Sequence, residues 1–288
     1  MKPTALDSFH PLVSVVFFAT VLVFCMAAFQ PVYLAISCVA SFAYGVFLRG
    51  WRAVAHTLVW QVPLVMIIAA VNPLFSASGS TELFRIGVRV VYAESLFYGA
   101  CMGVMLMAMM QWFANASCVL TSDKVMAVLG NKAPTIALMV SMINRLVPQF
   151  VTRGREIEAV QGACMPSVVS PTVRAKTRQR LRLISVMMGW SMEDSLETAD
   201  SMRARGWGAC RQRSAYCRDR FRTGDGVVLG VLVALAALNA FLAFVACVQF
   251  QFYPTLSILT FWWGYVPYTA LVATPILLQV GEMIRWMH

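Results

Sequence analysis

Residues 11–48 read PLVSVVFFATVLVFCMAAFQPVYLAISCVASFAYGVFL, 38 positions without an Asp, Glu, Lys or Arg. A bilayer core is crossed by about 20 helical residues, so this stretch is long enough for two crossings. Gln30-Pro31 divides it, since proline suits the start of a helix and not its interior. Helices are expected at 12–29 and 32–48.

The rest of the chain repeats this pattern. Of its 288 residues, 59% are hydrophobic and 12% charged, half the roughly 25% charge of soluble domains. The mean hydropathy is +0.70. These values exclude a disordered chain, a collagen-like fibre and an ordinary soluble enzyme. Ala53 to Thr81 and Ser95 to Ser122 are uncharged, placing a third span at 54–71, ended by Asn72-Pro73, and a fourth at 95–115. Gly226 to Gly281 runs 56 residues without a charge. As one helix it would reach roughly 84 Å against a core of about 30 Å, so it must turn back. Gln249-Phe250-Gln251-Phe252-Tyr253-Pro254 is the expected turn, between spans at 227–248 and 259–280. Trp262, Trp263, Tyr265 and Tyr268 then fall near one end of the last span, as interfacial aromatics do. Asp7 and the length of the first apolar run argue for a retained span and against a cleaved leader.

The net charge of +10 is concentrated. Residues 145–222 hold 15 of the 23 basic residues and 7 of the 13 acidic ones, which is +8. Arg49 and Arg52 follow the second span, the basic segment follows the fourth, and Arg285 follows the sixth. All three lie on one side if the number of crossings between them is even, which predicts cytoplasmic N- and C-termini. Arg85 and Arg89 fall on the other side and run against this orientation. With the charge bound up in topology, nucleic acid is not an expected partner.

Residues 120–224 are too long for a connector and too patterned for a tail. Thr121-Ser122-Asp123-Lys124 reads as a helix start with Thr121 or Ser122 as cap. A second helical stretch covers 133–150, and Pro166 and Pro171 bracket a break. From 172 to 205, Leu181, Ile184, Met188, Met192, Leu196, Ala199 and Met202 recur at three and four. That face packs either on its own neighbours or on another protein. Gly206 and Gly208 end the helix. Arg174, Lys176, Arg178, Arg180 and Arg182 form a basic run, for solvent, for anionic lipid headgroups or for a partner. Glu193, Asp194, Glu197 and Asp200 read as surface charges that offset neighbouring arginines.

Chemistry-bearing signatures are absent from the sequence. It contains no Gly-Lys dipeptide, hence no P-loop. The 8 cysteines include no C-x-x-C, and His10, His56 and His288 are scattered. No span has a charge at its centre, where ion and proton pathways usually carry one. No catalytic residue, cofactor site or metal ligand is therefore expected. The sequence reads as an all-α, polytopic helical membrane protein with about six transmembrane helices and an inserted cytoplasmic helical region. Its blocks are 1–119, 120–224 and 225–288.

Four stretches carry a family resemblance: Phe9-His10-Pro11-Leu12, Asn72-Pro73-Leu74-Phe75, Thr121-Ser122-Asp123-Lys124, and above all Met202-Arg203-Ala204-Arg205-Gly206-Trp207-Gly208. Over nearly its whole length the chain resembles the transmembrane T component of energy-coupling factor (ECF) transporters, the ABC importers of vitamins and transition metals. That family has two Ala-Arg-Gly motifs, each ending a cytoplasmic coupling helix. Ala204-Arg205-Gly206 matches the second. In place of the first stands Val160-Gln161-Gly162, and Gln161 lacks the charge and planar fork of arginine. The resemblance implies a non-catalytic subunit that joins two ABC ATPases to a small substrate-binding S component in the cell membrane. It implies ATPase docking by Ala204, Arg205 and Gly206 assisted by Arg203, with Gln161 and Gly162 docking by shape and neutral hydrogen bonds. The other readings of such a chain are a self-contained secondary transporter for a small solute and a membrane enzyme. The first would carry polar groups in mid-membrane or an internal repeat, and the second an acid/base or metal constellation.

Overall fold

The computed structural model describes residues 9–75, 81–86, 89–164, 173–209, 221–252 and 262–287. Within them the chain is all-α apart from one hairpin. The helices are α1 (Pro11–Ala27), α2 (Pro31–Arg49), α3 (Trp51–Phe75), α4 (Ala93–Val119), α5 (Ser122–Lys132), α6 (Pro134–Cys164), α7 (Val173–Ala204), α8 (Thr223–Gln249) and α9 (Tyr265–Met287). Strands β1 (Glu82–Ile86) and β2 (Arg89–Tyr92) pair antiparallel. The chain divides into two compact units, Met1–Val128 with Asp219–His288, and Leu129–Arg218.

The first unit is a bundle of apolar helices. Phe17, Phe18, Tyr44 and Trp112 meet at its centre, with Trp112 stacked on Tyr44 at a ring distance of 6.2 Å and edge-on to Phe17 at 6.3 Å. A membrane helix gains little by hiding apolar groups from apolar lipid, so packing and side-chain hydrogen bonds hold such bundles together. The Trp112 indole N–H donates to the Ser37 hydroxyl at 3.1 Å, and the Asn115 amide donates to the Ser41 carbonyl at 2.9 Å. At the end of α2, Arg49 donates to the Asn115 side-chain oxygen at 2.9 Å. Gln30 donates to the Tyr265 hydroxyl at 2.9 Å, tying the α1–α2 turn to α9, and the Asn239 amide reaches the Pro267 carbonyl at 3.2 Å. The buried Asp225 carboxylate accepts the backbone N–H of Arg222 at 2.9 Å and of His10 at 3.3 Å, so the starts of α1 and α8 share one cap. Interhelical bonds of this kind contribute about 0.6 kcal/mol on average in a membrane.

Helices α3 and α4 approach closest at two glycines. A Cβ on Gly103 would stand 2.8 Å from Val65 Cγ1 and 3.1 Å from Val65 Cα, and one on Gly99 would stand 2.8 Å from Asn72 Cβ. This is a Gly-xxx-Gly seam, which lets helix backbones touch. The opposite side of α3, with Val59, Trp60, Met66 and Ile67, is exposed, as suits a lipid-facing helix.

By length and apolarity α2, α3, α4, α6 and α8 can each cross a membrane. At 17 residues α1 rises about 26 Å, short but apolar throughout. The expected spans fall on α1 to α4, α8 and α9, whereas α6, expected in the inserted helical region, is itself long and apolar enough to cross. Several details differ. α3 does not stop at Asn72-Pro73 but runs to Phe75, where the Asn72 amide donates to the Ser95 carbonyl at 3.0 Å and anchors this turn to α4. α9 begins at Tyr265, and residues 259–261 lie outside the described ones. Tyr265 and Tyr268 are not interfacial aromatics: both are buried, stacked edge-on to Tyr33 at 5.2 and 4.9 Å. The hairpin was not read from the sequence. It is held by Glu94, whose buried carboxylate in the first turn of α4 accepts the Thr81 hydroxyl at 2.7 Å and its backbone N–H.

Candidate docking surface

The second unit is built on α6 and α7, of 31 and 32 residues, each about 46–48 Å long. They meet near their midpoints. Phe150 packs edge-on to Trp190 at 5.6 Å, and the Arg153 guanidinium lies 3.8 Å from the centre of the Trp190 ring. Gly154 admits Met187, whose sulfur would be 3.4 Å from a Cβ there. Met142, Leu146, Phe150, Gly154 and Ile157 on α6, three and four apart, form the half-buried face, as do Leu183, Met187 and Trp190 on α7. An open cleft of ≈ 400 Å³ follows the contact, with Met142, Arg145 and Arg153 on one wall and Asp194, Thr198 and Met202 on the other. The two helices thus run in opposing senses through a crossing.

Apolar side chains also occupy a second face of each helix, away from the crossing. Ile136, Met139, Ile143, Val147 and Val151 on α6 are about half exposed or more. Of the expected stripe on α7, Leu181, Ile184, Met188, Met192 and Leu196 are 52–70% exposed and do not pack on α6, while Ala199 and Met202 line the cleft against it. The sequence pattern merged two faces that the structure separates, one closing the crossing and one open.

The last turn of α7 explains the spelling of Ala204-Arg205-Gly206. Gly206 has φ +82, a left-handed conformation that costs a side-chain-bearing residue about 1–2 kcal/mol. Its N–H donates to the Arg203 carbonyl at 2.9 Å, and the Trp207 N–H donates to the Met202 carbonyl at 3.0 Å. This pair of bonds is a Schellman cap, which satisfies carbonyls a helix end leaves open. Gly208, at φ +88, turns the chain again. Arg205 is the residue at which the helix stops, and its side chain is exposed. Its charge suits the negative end of the helix dipole. Arg203 is partly engaged with Asp200, 3.7 Å away, in a largely exposed pair that contributes little to stability. Among the described residues no carboxylate pairs with Arg205.

Val160-Gln161-Gly162 is placed differently. It lies inside α6, two residues before the helix's last residue, Cys164, and Gly162 has no left-handed φ. Gln161 and Gly162 are half exposed, and a Cβ on Gly162 would meet nothing within 4 Å. The structure does not bring the two motifs together. Arg205 lies roughly 22 Å along α7 past Trp190, and Gln161 roughly 10 Å along α6 past Gly154, on opposite arms of the crossing. Pro166 and Pro171 lie outside the described residues.

Thr121-Ser122-Asp123-Lys124 does open a helix, with the Val125 N–H bonded to the Thr121 carbonyl at 3.1 Å. Lys124 reaches back to the Val119 carbonyl at 2.9 Å and covers the end of α4. The α6–α7 lock of Phe150, Arg153, Gly154, Met187 and Trp190 was not anticipated. Its one sequence signal was a lone Trp on the polar-flanked helix α7. Among the described residues no three His, Cys, Asp or Glu side chains gather as a metal ion would need. No family model and no curated protein matches this chain.

Proposed function

We propose that this protein is the T component of an ECF-type ABC importer, a non-catalytic membrane subunit coupling two cytoplasmic ATPases to a substrate-binding S component. The observation that carries the reading is the end of α7. There an exposed arginine, paired with no carboxylate among the described residues, stands at a glycine-capped helix terminus, spelled Ala204-Arg205-Gly206, in a chain whose other unit is a bundle of apolar helices. A docking residue needs a fixed backbone and an accessible head group. The Schellman cap supplies the first, and the exposure of Arg205 supplies the second.

The rest follows from the crossing. Two ATPases require two separate anchor points, and the motifs lie on opposite arms. Arg205 serves one through charge-assisted, two-pronged hydrogen bonds to carboxylates or carbonyls. Gln161 and Gly162 serve the other through a glycine face open to close approach. A long helix pinned at its middle turns a movement at one tip into a movement elsewhere along its length. The open apolar stripe of α6, with Met192 and Leu196 of α7, offers a surface to a helical membrane partner, the S component. The chain brings no P-loop, so ATP is bound by the partners. On this reading the second unit and both termini lie in the cytoplasm and the first unit in the cell membrane. The cargo is a vitamin or a transition-metal ion, captured by the S component.

The test is Arg205→Glu in the assembled importer, compared with Gln161→Ala. Loss of ATPase copurification and of uptake for Arg205→Glu, with normal membrane insertion, supports the reading. Wild-type levels of both would make the motif a helix terminus and nothing more.

A further inference from the structure

The charges of α7 are arranged against its own dipole. Arg174, Lys176, Arg178, Arg180 and Arg182 fall in its first ten positions, with Arg174 and Lys176 in the first turn. Its acidic residues, Glu193, Asp194, Glu197 and Asp200, all come in the second half. A helix dipole favours the reverse order, with anions at the N-terminus. The sequence does not relieve the excess, for no Asp or Glu occurs between Glu158 and Glu193. Arg178 and Arg180 are exposed, and among the described residues neither has a carboxylate within ion-pair distance. Beside these arginines Leu181, Ile184 and Met188 are 61%, 52% and 64% exposed.

We propose that the first half of α7 lies on anionic phospholipid headgroups, its arginines on lipid phosphates and Leu181, Ile184 and Met188 at the acyl boundary. Basic charge beside an open apolar stripe is the composition of a helix that rests in a membrane interface. A nucleic acid would engage the arginines and leave the stripe in water. A carboxylate-bearing protein would need a fixed partner for each of several long, mobile side chains. An anionic leaflet is mobile and continuous, and it adjoins any chain already threaded through the bilayer, so its effective concentration is high. It also compensates the positive end of the helix dipole. The inference does not require the transporter assignment, because no ATPase or S component takes part.

The experiment places the purified full chain in nanodiscs of phosphatidylcholine, with and without phosphatidylglycerol, and follows amide hydrogen exchange across residues 177–188. Each arginine at an anionic surface is worth about fivefold in binding. Phosphatidylglycerol should therefore slow exchange in this segment by roughly tenfold or more, with α6 residues 136–147 unchanged. The double variant Arg178→Gln, Arg180→Gln should lose most of the slowing and keep its melting temperature, since both positions are exposed. Equal exchange in both lipids, or slowing that survives undiminished in the double variant, would overturn the proposal. So would slowing reproduced by inorganic phosphate in phosphatidylcholine discs, or slowing that appears only when ATPase or S-component protein is added.

Discussion

Arg205 and Trp190 sit on one helix and have opposite tasks. Arg205 has an exposed head group on a backbone fixed by Gly206, so its removal should cost binding and not folding. An interfacial arginine with charge-assisted bonds commonly costs about 2–5 kcal/mol when truncated, because its partners are left unpaired. Arg205→Ala should therefore lower ATPase affinity by that amount in a titration of the detergent-solubilised subunit, and Arg205→Lys should recover only part, since an ammonium cannot form the two-pronged bond. Gln161→Ala should cost less. Trp190 faces inward at the crossing. Its cation–π contact with Arg153 is worth about 0.5–1 kcal/mol and its edge contact with Phe150 about 0.5–1.5 kcal/mol. Trp190→Ala should destabilise the second unit by about 1–2 kcal/mol, seen as faster hydrogen exchange over 146–157 and 183–194. Unchanged exchange there would mean that the crossing is held elsewhere.

At the scale of elements, what could be read in advance depended on how local the cause was. Uncharged runs placed α1, α2, α4 and α8 because bilayer thickness acts on each segment separately. The end of α7 was legible for a similar reason: two glycines specify left-handed turns with no help from distant residues. Pairing was not legible. The seam at Gly99 and Gly103 depends on which helix meets α4, and the bond from Glu94 to Thr81 depends on the chain returning as a hairpin. The proposed docking site was half legible. Its residues could be named from one motif, but that Arg205 and Gln161 lie on separate arms, and that the Met188 stripe is open, follow from where α6 and α7 cross. Three outcomes are expected. Gly103→Leu should wedge α3 from α4, since even a Cβ would meet the Val65 backbone at 3.1–3.2 Å. Overpacking of this kind costs about 1–3 kcal/mol, read as a lower melting temperature in detergent. Gly162→Leu, with nothing within 4 Å, should melt as wild type. Met192→Asp places a charge on the exposed stripe beyond the lipid-facing half, so the isolated subunit should keep its stability while binding of the S component is lost, because the carboxylate would be buried there without a partner. Retained S-component binding would show that this stripe is free in the complex.

For the whole molecule, the proposed division of labour is the central claim: one unit of apolar helices for the membrane, one crossed pair of long helices for partners, and ATP and cargo bound by those partners. A secondary transporter would work alone, and a coupling subunit cannot. The most direct measurement is the composition of the complex that the tagged chain brings out of its native membrane in mild detergent, resolved by intact mass. Two P-loop ATPase chains and one small membrane protein bound to each copy of this chain is the result the account predicts. A chain that purifies without any ATPase, and that moves a solute into proteoliposomes on an ion gradient alone, would contradict it.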